Sequence, residues 1–250
     1  MIPDFLQAFA PELERHALPS IRITATPLPT DEPASAASKF RGLPQLPRTI
    51  PYPTDANGQP LLMLAQINLA EVPANDFLPA AGLLQFYVPA QEWYNMEDAR
   101  VLYIGPEHEG AETQQDFSFL PATHYDESPI YCEHRLTFAL VTEYGGLEDC
   151  RFAVGFNGLD GYEYEETLPK AQQEVFSNFL DASGHKLGGY AMFTQGDPRE
   201  VDTAPAVQLL QIDVDEEIMF GDSGVAHFFI AEQDLRNREF NKAYFYWDCC

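Results

Sequence analysis

The chain has 250 residues, of which 39 are acidic and 14 are basic, and its formal net charge is -25. This charge argues against nucleic-acid binding, which needs a basic surface that displaces counterions from phosphates, and against docking onto anionic lipid. The length and a hydrophobic content of 45% suffice for a large buried core, so we expect a folded chain and not a disordered one.

The predicted elements begin with one helix, one strand and a long loop. Residues 3–18 carry apolar side chains at helical spacing and predict an N-terminal helix, which Pro11 bends or splits. Residues 21–25 alternate apolar and polar side chains, as a half-buried strand does. Residues 27–60 are rich in proline and lack periodicity, so we expect a long ordered loop. Residues 61–69 are apolar on both strand faces and therefore belong inside a sheet.

The rest of the chain is predicted to consist mainly of short strands. Residues 168–180 carry an apolar face typical of a helix, and the polar segment 107–118 is predicted to lie at the surface. The further predicted strands comprise residues 83–88, 100–104, 136–142, 207–214, 225–230 and 243–247. Many short strands and few helices indicate an α+β fold with a mostly antiparallel sheet.

The sequence is similar to itself at a long separation. Four blocks repeat in the same order: 38–44 with 185–191, 60–72 with 205–217, 82–88 with 224–230, and 100–104 with 242–247. Within them Lys39 aligns with Lys186, and Gln66 aligns with Gln211. This order predicts an internal duplication, in which two pseudo-symmetric halves cover each other's apolar faces about a pseudo-twofold axis.

The repeat predicts one domain and not two. We expect a single domain over residues 1–250, because each half exposes an apolar face that it cannot cover alone. The N-terminal helix occupies residues 1–19, the first repeat about residues 38–104, and the second repeat about residues 185–250.

The same blocks carry a family resemblance. They are SKFRGLPQLP (38–47), LAQINL (64–69), LPAAGLLQFYV (78–88), GGYAMFTQGDPR (188–199), LLQID (209–213), GDSGVAHFFI (221–230) and YFYWDCC (244–250). Together they resemble the YwqG-like family of bacterial proteins, a domain of unknown function, although Arg41 stands where the first turn should have its second glycine. The resemblance implies no catalytic residue. Some genes of this kind look like members of toxin–immunity neighbourhoods.

Polar side chains occupy matched places on the predicted central strands. They are Gln66 and Asn68 in the first repeat, Gln211 and Asp213 in the second, and Gln85 and His227 on the strands that follow. One interpretation is a polar ligand pocket near the pseudo-twofold axis. The other is a set of buried amides that bond to the backbone of adjoining loops, and we favour it because most side-chain hydrogen bonds go to backbone.

An acidic run follows the second of these strands. Asp213, Asp215 and Glu217 are predicted to line one strand face, and Asp222 comes shortly after. Carboxylate clusters suit Ca²⁺ or Mg²⁺, but the spacing is not that of an EF-hand loop. We therefore favour a solvated acidic edge and predict no metal and no cofactor.

The motifs of common enzymes are missing from the sequence. In GDSG (221–224) the serine precedes a predicted strand, so the strand–nucleophile–helix setting of a hydrolase is absent. Gly221 and Gly224 are instead predicted to supply turns with positive φ. Arg199 is expected to pair with a local carboxylate, with anion binding as the alternative. No histidine pair has zinc spacing, and no phosphate-binding glycine loop is present.

The cysteines and the N-terminus point to the cytoplasm. Four cysteines in a chain of this length do not make a disulfide framework, so we expect free thiols at Cys132, Cys150, Cys249 and Cys250, the last two beside Trp247. The N-terminus lacks the charge and apolar pattern of a secretory leader, and no segment is long and apolar enough to span a bilayer.

These observations favour a non-catalytic binding protein, an acidic immunity-type inhibitor of a bacterial toxin. Its expected partner is a basic protein such as a toxin domain, and we expect it to bind neither nucleic acid nor a membrane. The sequence does not predict its oligomeric state. The alternative is a small-ligand-binding protein or enzyme with a pocket between the two halves that uses Gln211, Asp213, Asp222 and His227. The candidate binding residues are Gln66, Asn68, Gln211, Asp213, Asp215, Glu217, Asp222 and His227.

Overall fold

The strands form one sheet in the computed structural model, which describes residues 1–199 and 206–250. Within those residues the strands are β1 (Leu18–Pro27), β2 (Lys39–Phe40), β3 (Leu62–Asn68), β4 (Leu83–Val88), β5 (Arg100–Ile104), β6 (His134–Glu143), β7 (Lys186–Gly188), β8 (Val207–Ile212), β9 (Val225–Ile230) and β10 (Tyr244–Asp248). Their order is β10-β9-β8-β7-β1-β6-β2-β3-β4-β5. All of these pairings are antiparallel, which confirms the predicted sheet type.

Four short helices accompany the sheet in the described residues. The N-terminal helix is split as predicted, because a 3-10 turn (Asp4–Phe9) precedes α1 (Ala10–His16), which has Pro11 in its first turn. The predicted helix at 168–180 is α3 (Lys170–Phe179), and it follows the unpredicted α2 (Gly161–Thr167). A short α4 (Glu232–Arg236) follows β9.

The predictions for segments 27–60 and 207–214 were wrong. The proline-rich segment 27–60 was expected to be loop throughout, but it contains β2, which pairs with both β3 and β6. The strand expected at 207–214 ends at Ile212, because the Asp213 carboxylate accepts a hydrogen bond from the Val214 amide and turns the chain. Pro205, which the repeat pairs with Pro60, lies outside the described residues.

The main core lies where β3 and β4 of one sheet half meet β8 and β9 of the other. Every residue of β4 and β9 is buried, and so are nearly all residues of β3 and β8. The rings of Phe86 on β4 and Phe228 on β9 are 5.0 Å apart in an edge-to-face contact. A second apolar cluster joins the N-terminal helix to α2 and α3 through Leu13, Tyr164 and Phe176.

Glycine is required where two turns pass close to buried carboxylates. A Cβ at Gly42 would lie 2.4 Å from Glu133 Oε2, and one at Gly189 would lie 2.3 Å from Glu143 Oε2. Both glycines have positive φ. Arg41, which departs from the family pattern, has a φ of 60° and adopts the left-handed conformation that glycine would adopt more easily.

No helix within the described residues is both long enough and apolar enough to cross a membrane.

Candidate functional site

Gln66 lies on β3 with its side chain fully buried, and it uses its whole hydrogen-bonding capacity inside the protein. Its Nε2 donates to the carbonyls of Ser35 and Ala37 at 2.8 and 2.9 Å. Its Oε1 accepts from the Gln45 amide at 2.9 Å and from Gln85 Nε2 at 2.8 Å. The amide therefore fastens the loop before and after β2 to the sheet.

Gln211 lies on β8 and has the same kind of surroundings. It is fully buried, and its Nε2 donates to the carbonyls of Ala182 and Gly184, both at 2.9 Å. Its Oε1 accepts from the Met192 amide at 3.1 Å. Gln66 and Gln211 are thus buried and bonded to the adjoining loops, as the favoured interpretation of the sequence expected.

We expect the substitutions Gln66→Leu and Gln211→Leu each to lower the free energy of unfolding by about 1–3 kcal/mol, because leucine leaves several buried backbone groups without partners. Urea unfolding followed by circular dichroism measures this change. The exposed Gln115→Leu is the control and should leave the stability within about 0.5 kcal/mol of wild type. Wild-type stability in both buried variants would show that the amides are not structural.

Two buried lysine–glutamate pairs lie next to these amides. Lys39 pairs with Gln66 across β2 and β3, and its Nζ is 3.3 Å from Glu133 Oε1. Lys186 pairs with Gln211 across β7 and β8, and its Nζ donates to both carboxylate oxygens of Glu143 at 3.0 and 3.1 Å.

Burial shifts the pKa of one member of each pair toward its neutral form. It lowers the pKa of Lys186 to about 8 against the attraction of Glu143. It raises the pKa of Glu133 against the attraction of Lys39. The sequence aligned the two lysines but gave no sign of their burial or of their partners.

His227 is fully buried on β9, and its surroundings favour the neutral ring. Its Nδ1 lies 3.1 Å from Gln208 Oε1, and Phe193 and Phe229 pack against the ring. Burial, reinforced by the positive charges of Arg199 and Lys186, lowers its pKa to about 3. His227 is therefore built into the core.

The acidic run 213–217 forms a turn and not the predicted strand face. Asp213 is buried, and its Oδ2 accepts from the Gly184 amide at 2.6 Å, while its own amide donates to His185 Nδ1 at 3.0 Å. Asp215 and Ile218 then pair through backbone hydrogen bonds and close the turn. Asp215 is exposed, and its Oδ2 lies 3.5 Å from His185 Nε2.

This turn joins a second loop to make one surface, which we call the acidic face and define as residues 126–131 and 214–219. The Tyr131 amide donates to the Glu217 carbonyl, and the Met219 amide donates to the Pro129 carbonyl, both at 2.8 Å. The carboxylates on this surface are Asp126, Glu127, Asp215, Glu216 and Glu217. Its exposed apolar side chains are Tyr131, Val214 and Met219.

The remaining predicted residues lie apart from this face. Asn68 ends β3, where its Oδ1 accepts from the Ala70 amide, and it lines a pocket of about 350 Å³ between the loops at 36–47 and 104–113. Asp222 is exposed in the turn before β9. Neither the pocket beside Asn68 nor the larger one described below is lined by any of Gln211, Asp213, Asp222 and His227.

The turn 221–224 uses its two glycines differently. Gly221 has a φ of 62°, as predicted, and Ser223 also has a positive φ. Gly224 does not have one, so that part of the prediction was wrong. Gly224 is required because a Cβ there would lie 2.3 Å from the Asp248 carbonyl oxygen and 2.4 Å from that of Phe220.

Asp149, Arg151, Asp197 and Arg199 form a network of ion pairs, of which the sequence predicted only the pairing of Arg199. The ligand atoms of Asp149, Cys150 and Asp197 lie within 4.8 Å of one another. However, Asp149 accepts a hydrogen bond from Arg151 at 2.6 Å and lies 3.0 Å from Arg199. Arg199 also donates to Asp197 at 2.5 Å. Both carboxylates are therefore paired with guanidinium groups. Pairing of Arg199 with a local carboxylate is confirmed.

Burial alone would raise the pKa of Asp149, but the hydrogen bond and charge of Arg151 and the charge of Arg199 together hold it at about 2. The repeated pattern Asp-x-Arg, at 149–151 and 197–199, is the sequence signal that could have found the whole network.

All four cysteines are free thiols in the structure, as predicted. Cys249 and Trp247 lie together against the turn at Gly221, since a Cβ at Gly221 would be 2.8 Å from a side-chain atom of each. Burial raises the pKa of Cys150 to about 11, with a further contribution from its hydrogen bond with Asp197. This thiol therefore stays protonated near neutral pH.

Comparison with known proteins identifies a family. No curated protein matches the chain. A family model described as Domain of unknown function (DUF1963) matches residues 38–249, which covers every strand from β2 to β10 and is compatible with the resemblance to YwqG-like proteins. The chain therefore belongs to the DUF1963 family.

Proposed function

We propose that this protein is a non-catalytic binding protein, an immunity-type inhibitor whose partner is a basic protein such as a toxin domain. The observation that carries the proposal is the acidic face, which presents exposed carboxylates and exposed apolar side chains on one surface. Proteins of this kind need a shaped surface of complementary charge and no catalytic group.

The charge of the chain supports a basic partner. Within residues 1–199 and 206–250, all of the basic side chains apart from Lys170 and Arg238 form ion pairs with carboxylates of the same chain. Most acidic side chains are therefore left uncompensated, because the acidic residues outnumber the basic ones by 25. The resulting negative field attracts a basic protein and speeds the encounter.

The acidic face is held in place before any partner arrives. Its two loops are joined by backbone hydrogen bonds on either side of the Ile130–Ile218 bridge. The buried Asp213 anchors the turn to the loop before β7. Such a surface loses little conformational entropy on binding.

The apolar side chains of the face supply contact area. Tyr131 is 54% exposed, Val214 is 41% exposed and Met219 is 37% exposed. Tyrosine and methionine are enriched at protein interfaces, where they act as anchors surrounded by polar residues. The face thus combines charges that steer a partner with side chains that hold it.

The alternative is a small ligand between the two halves. The contact between Phe86 and Phe228 fills part of that space. Gln66 and Gln211, the polar groups that would orient a ligand there, already bond to backbone. These contacts favour the binding-protein proposal.

We also infer that the chain contains an internal duplication. The sheet order supports it, because β2 to β5 and β7 to β10 run outward from the central β1–β6 pair in the same sequence. Each side has a register shift at a matching place, at Met63/Ala65 and at Gln208/Leu210. The matched contacts of Gln66 and Gln211 and of Gly42 and Gly189 support it further.

The test is a pulldown from a lysate of the source cells, with the partner identified by mass spectrometry. We compare the wild type with a variant that carries Asp215→Asn, Glu216→Gln and Glu217→Gln. The control carries Glu107→Gln, Glu109→Gln and Glu112→Gln, which remove as much charge from another exposed loop. We expect the wild type and the control to retain a basic protein that elutes as salt rises. The face variant should bind this protein at least about tenfold more weakly.

Two outcomes would contradict this proposal. Equal loss in the face variant and the control would show that charge acts without a defined surface. Co-purification of a metabolite, with no protein partner even at low salt, would favour the ligand-binding alternative.

A further inference from the structure

A large pocket lies on a part of the molecule separate from the acidic face. It has a volume of about 740 Å³ and is bounded by the end of α1, the loop at 150–151, Tyr190 and α4. The Tyr190 hydroxyl donates to the His16 carbonyl and so fastens the end of the N-terminal helix to the pocket wall. The volume is within the range of small-molecule sites.

Basic side chains outnumber acidic ones among the described residues that line this pocket. Arg15, Arg151 and Arg236 line it together with His16, and among residues 1–199 and 206–250 Glu232 is the one carboxylate in its lining. Over the whole chain acidic side chains outnumber basic ones, 39 to 14. A local excess of arginine in such a chain indicates a place for an anion.

Arg151 provides the rigid part of the pocket. Its Nε and Nη2 bond to the Asp149 carboxylate at 2.9 and 2.6 Å, and Nη2 also donates to the Gly189 carbonyl at 2.6 Å. The structure gives Nη1 no partner within residues 1–199 and 206–250. The side chain is 15% exposed, so the guanidinium is fixed and still reachable.

The other two arginines are able to exchange their partners. Arg15 pairs with Glu12 at 2.7 Å and Arg236 pairs with Glu232 at 2.5 Å, each within one helix, and the two arginine side chains are 67% and 68% exposed. Exposed pairs of this kind contribute little to stability. An anion in the pocket can therefore recruit both guanidinium groups without unfolding either helix.

We propose that this pocket binds a small phosphate-type anion, a phosphate or pyrophosphate group, held by Arg15, Arg151 and Arg236. Planar guanidinium groups match phosphate oxygens with paired hydrogen bonds. The occupant is small because the negative field of the whole protein repels an extended polyanion such as a nucleic acid. This proposal does not depend on the basic partner proposed above.

The experiment is isothermal titration of the full-length protein with sodium pyrophosphate and with sodium phosphate at constant ionic strength. We expect saturable binding at one site in the wild type. The double variant Arg15→Gln/Arg236→Gln should bind pyrophosphate at least about tenfold more weakly. Thermal unfolding of the variant without ligand should stay close to that of the wild type, because both side chains are exposed.

The matched control is Arg48→Gln/Arg135→Gln, which removes two exposed and ion-paired arginines outside the pocket. It should bind pyrophosphate within about twofold of wild type. A wild type that does not saturate with either anion in the millimolar range would overturn the proposal. So would equal weakening in the control, since bulk charge and not the pocket would then account for the binding.

Discussion

Replacing Glu143 by leucine is expected to lower the free energy of unfolding by about 3–5 kcal/mol, the largest effect of any single substitution we describe. Glu143 is 6% exposed and accepts hydrogen bonds from Lys186 Nζ and from the Tyr190 amide, and it lies 3.0 Å from Arg22 Nη2. Leucine would leave the fully buried Lys186 amine without its carboxylate. Urea unfolding at pH 7 measures the change.

The double variant Glu143→Leu/Lys186→Met separates loss of the pair from loss of packing. It should recover a large part of the stability, because a buried ion pair replaced by apolar side chains is often close to neutral. Glu112→Leu, which removes the exposed partner of Arg48, should change the stability by less than about 0.5 kcal/mol. A Glu143→Leu variant as stable as the Glu112→Leu control would contradict the account of the buried pair.

The free energy of unfolding is expected to fall steeply between pH 6.5 and pH 4. Above this range the buried histidines are neutral in both the folded and the unfolded chain. Burial lowers the pKa of His227 to about 3 and that of His124 to about 4. The unfolded chain binds protons below pH 6.5 that the folded protein does not bind, so acid favours unfolding. At pH 5 His227 alone should cost about 2 kcal/mol relative to pH 7. Burial also lowers the pKa values of His134 and His185, which act in the same direction.

Chemical unfolding at pH 7 and pH 5 tests this, with His227→Gln as the variant that cannot titrate at this position. The variant should lose less stability between the two pH values than the wild type, whatever its stability at pH 7. His108→Gln is the control, because His108 is 31% exposed at the side chain and lies on the surface segment. Equal stability of the wild type at pH 7 and pH 5 would show that the buried histidines do not govern acid unfolding.

The fold was predictable where strands carry long apolar runs. The runs in β3, β4, β8 and β9 are apolar on both faces, so their burial could be inferred from composition alone. β2 and β7 were missed because they are two and three residues long, contain a lysine, and exist only through pairing with distant strands. α2 was missed although Asp160 and Glu163 form a capping box, which the sequence shows.

The site was predictable in its local parts. The spacing of Gln66 and Gln211 and their repeat alignment led to buried, hydrogen-bonded amides, because an amide on an apolar strand needs partners. The acidic turn was misplaced on a strand, because Asp213 is held not only by the local bond from the Val214 amide but also by Gly184 and His185, which lie far back in the sequence. The ion pairs of Lys39 with Glu133 and of Lys186 with Glu143 were not predictable, because they depend on which strands lie beside the central β1–β6 pair.

Hydrogen–deuterium exchange of the protein with and without its captured partner tests the central claim most directly. We predict that peptides covering residues 126–131 and 214–219 exchange more slowly in the complex, because those two loops form the binding surface. Slowing confined to other segments, with these two loops unchanged, would contradict the claim that the acidic face binds the partner.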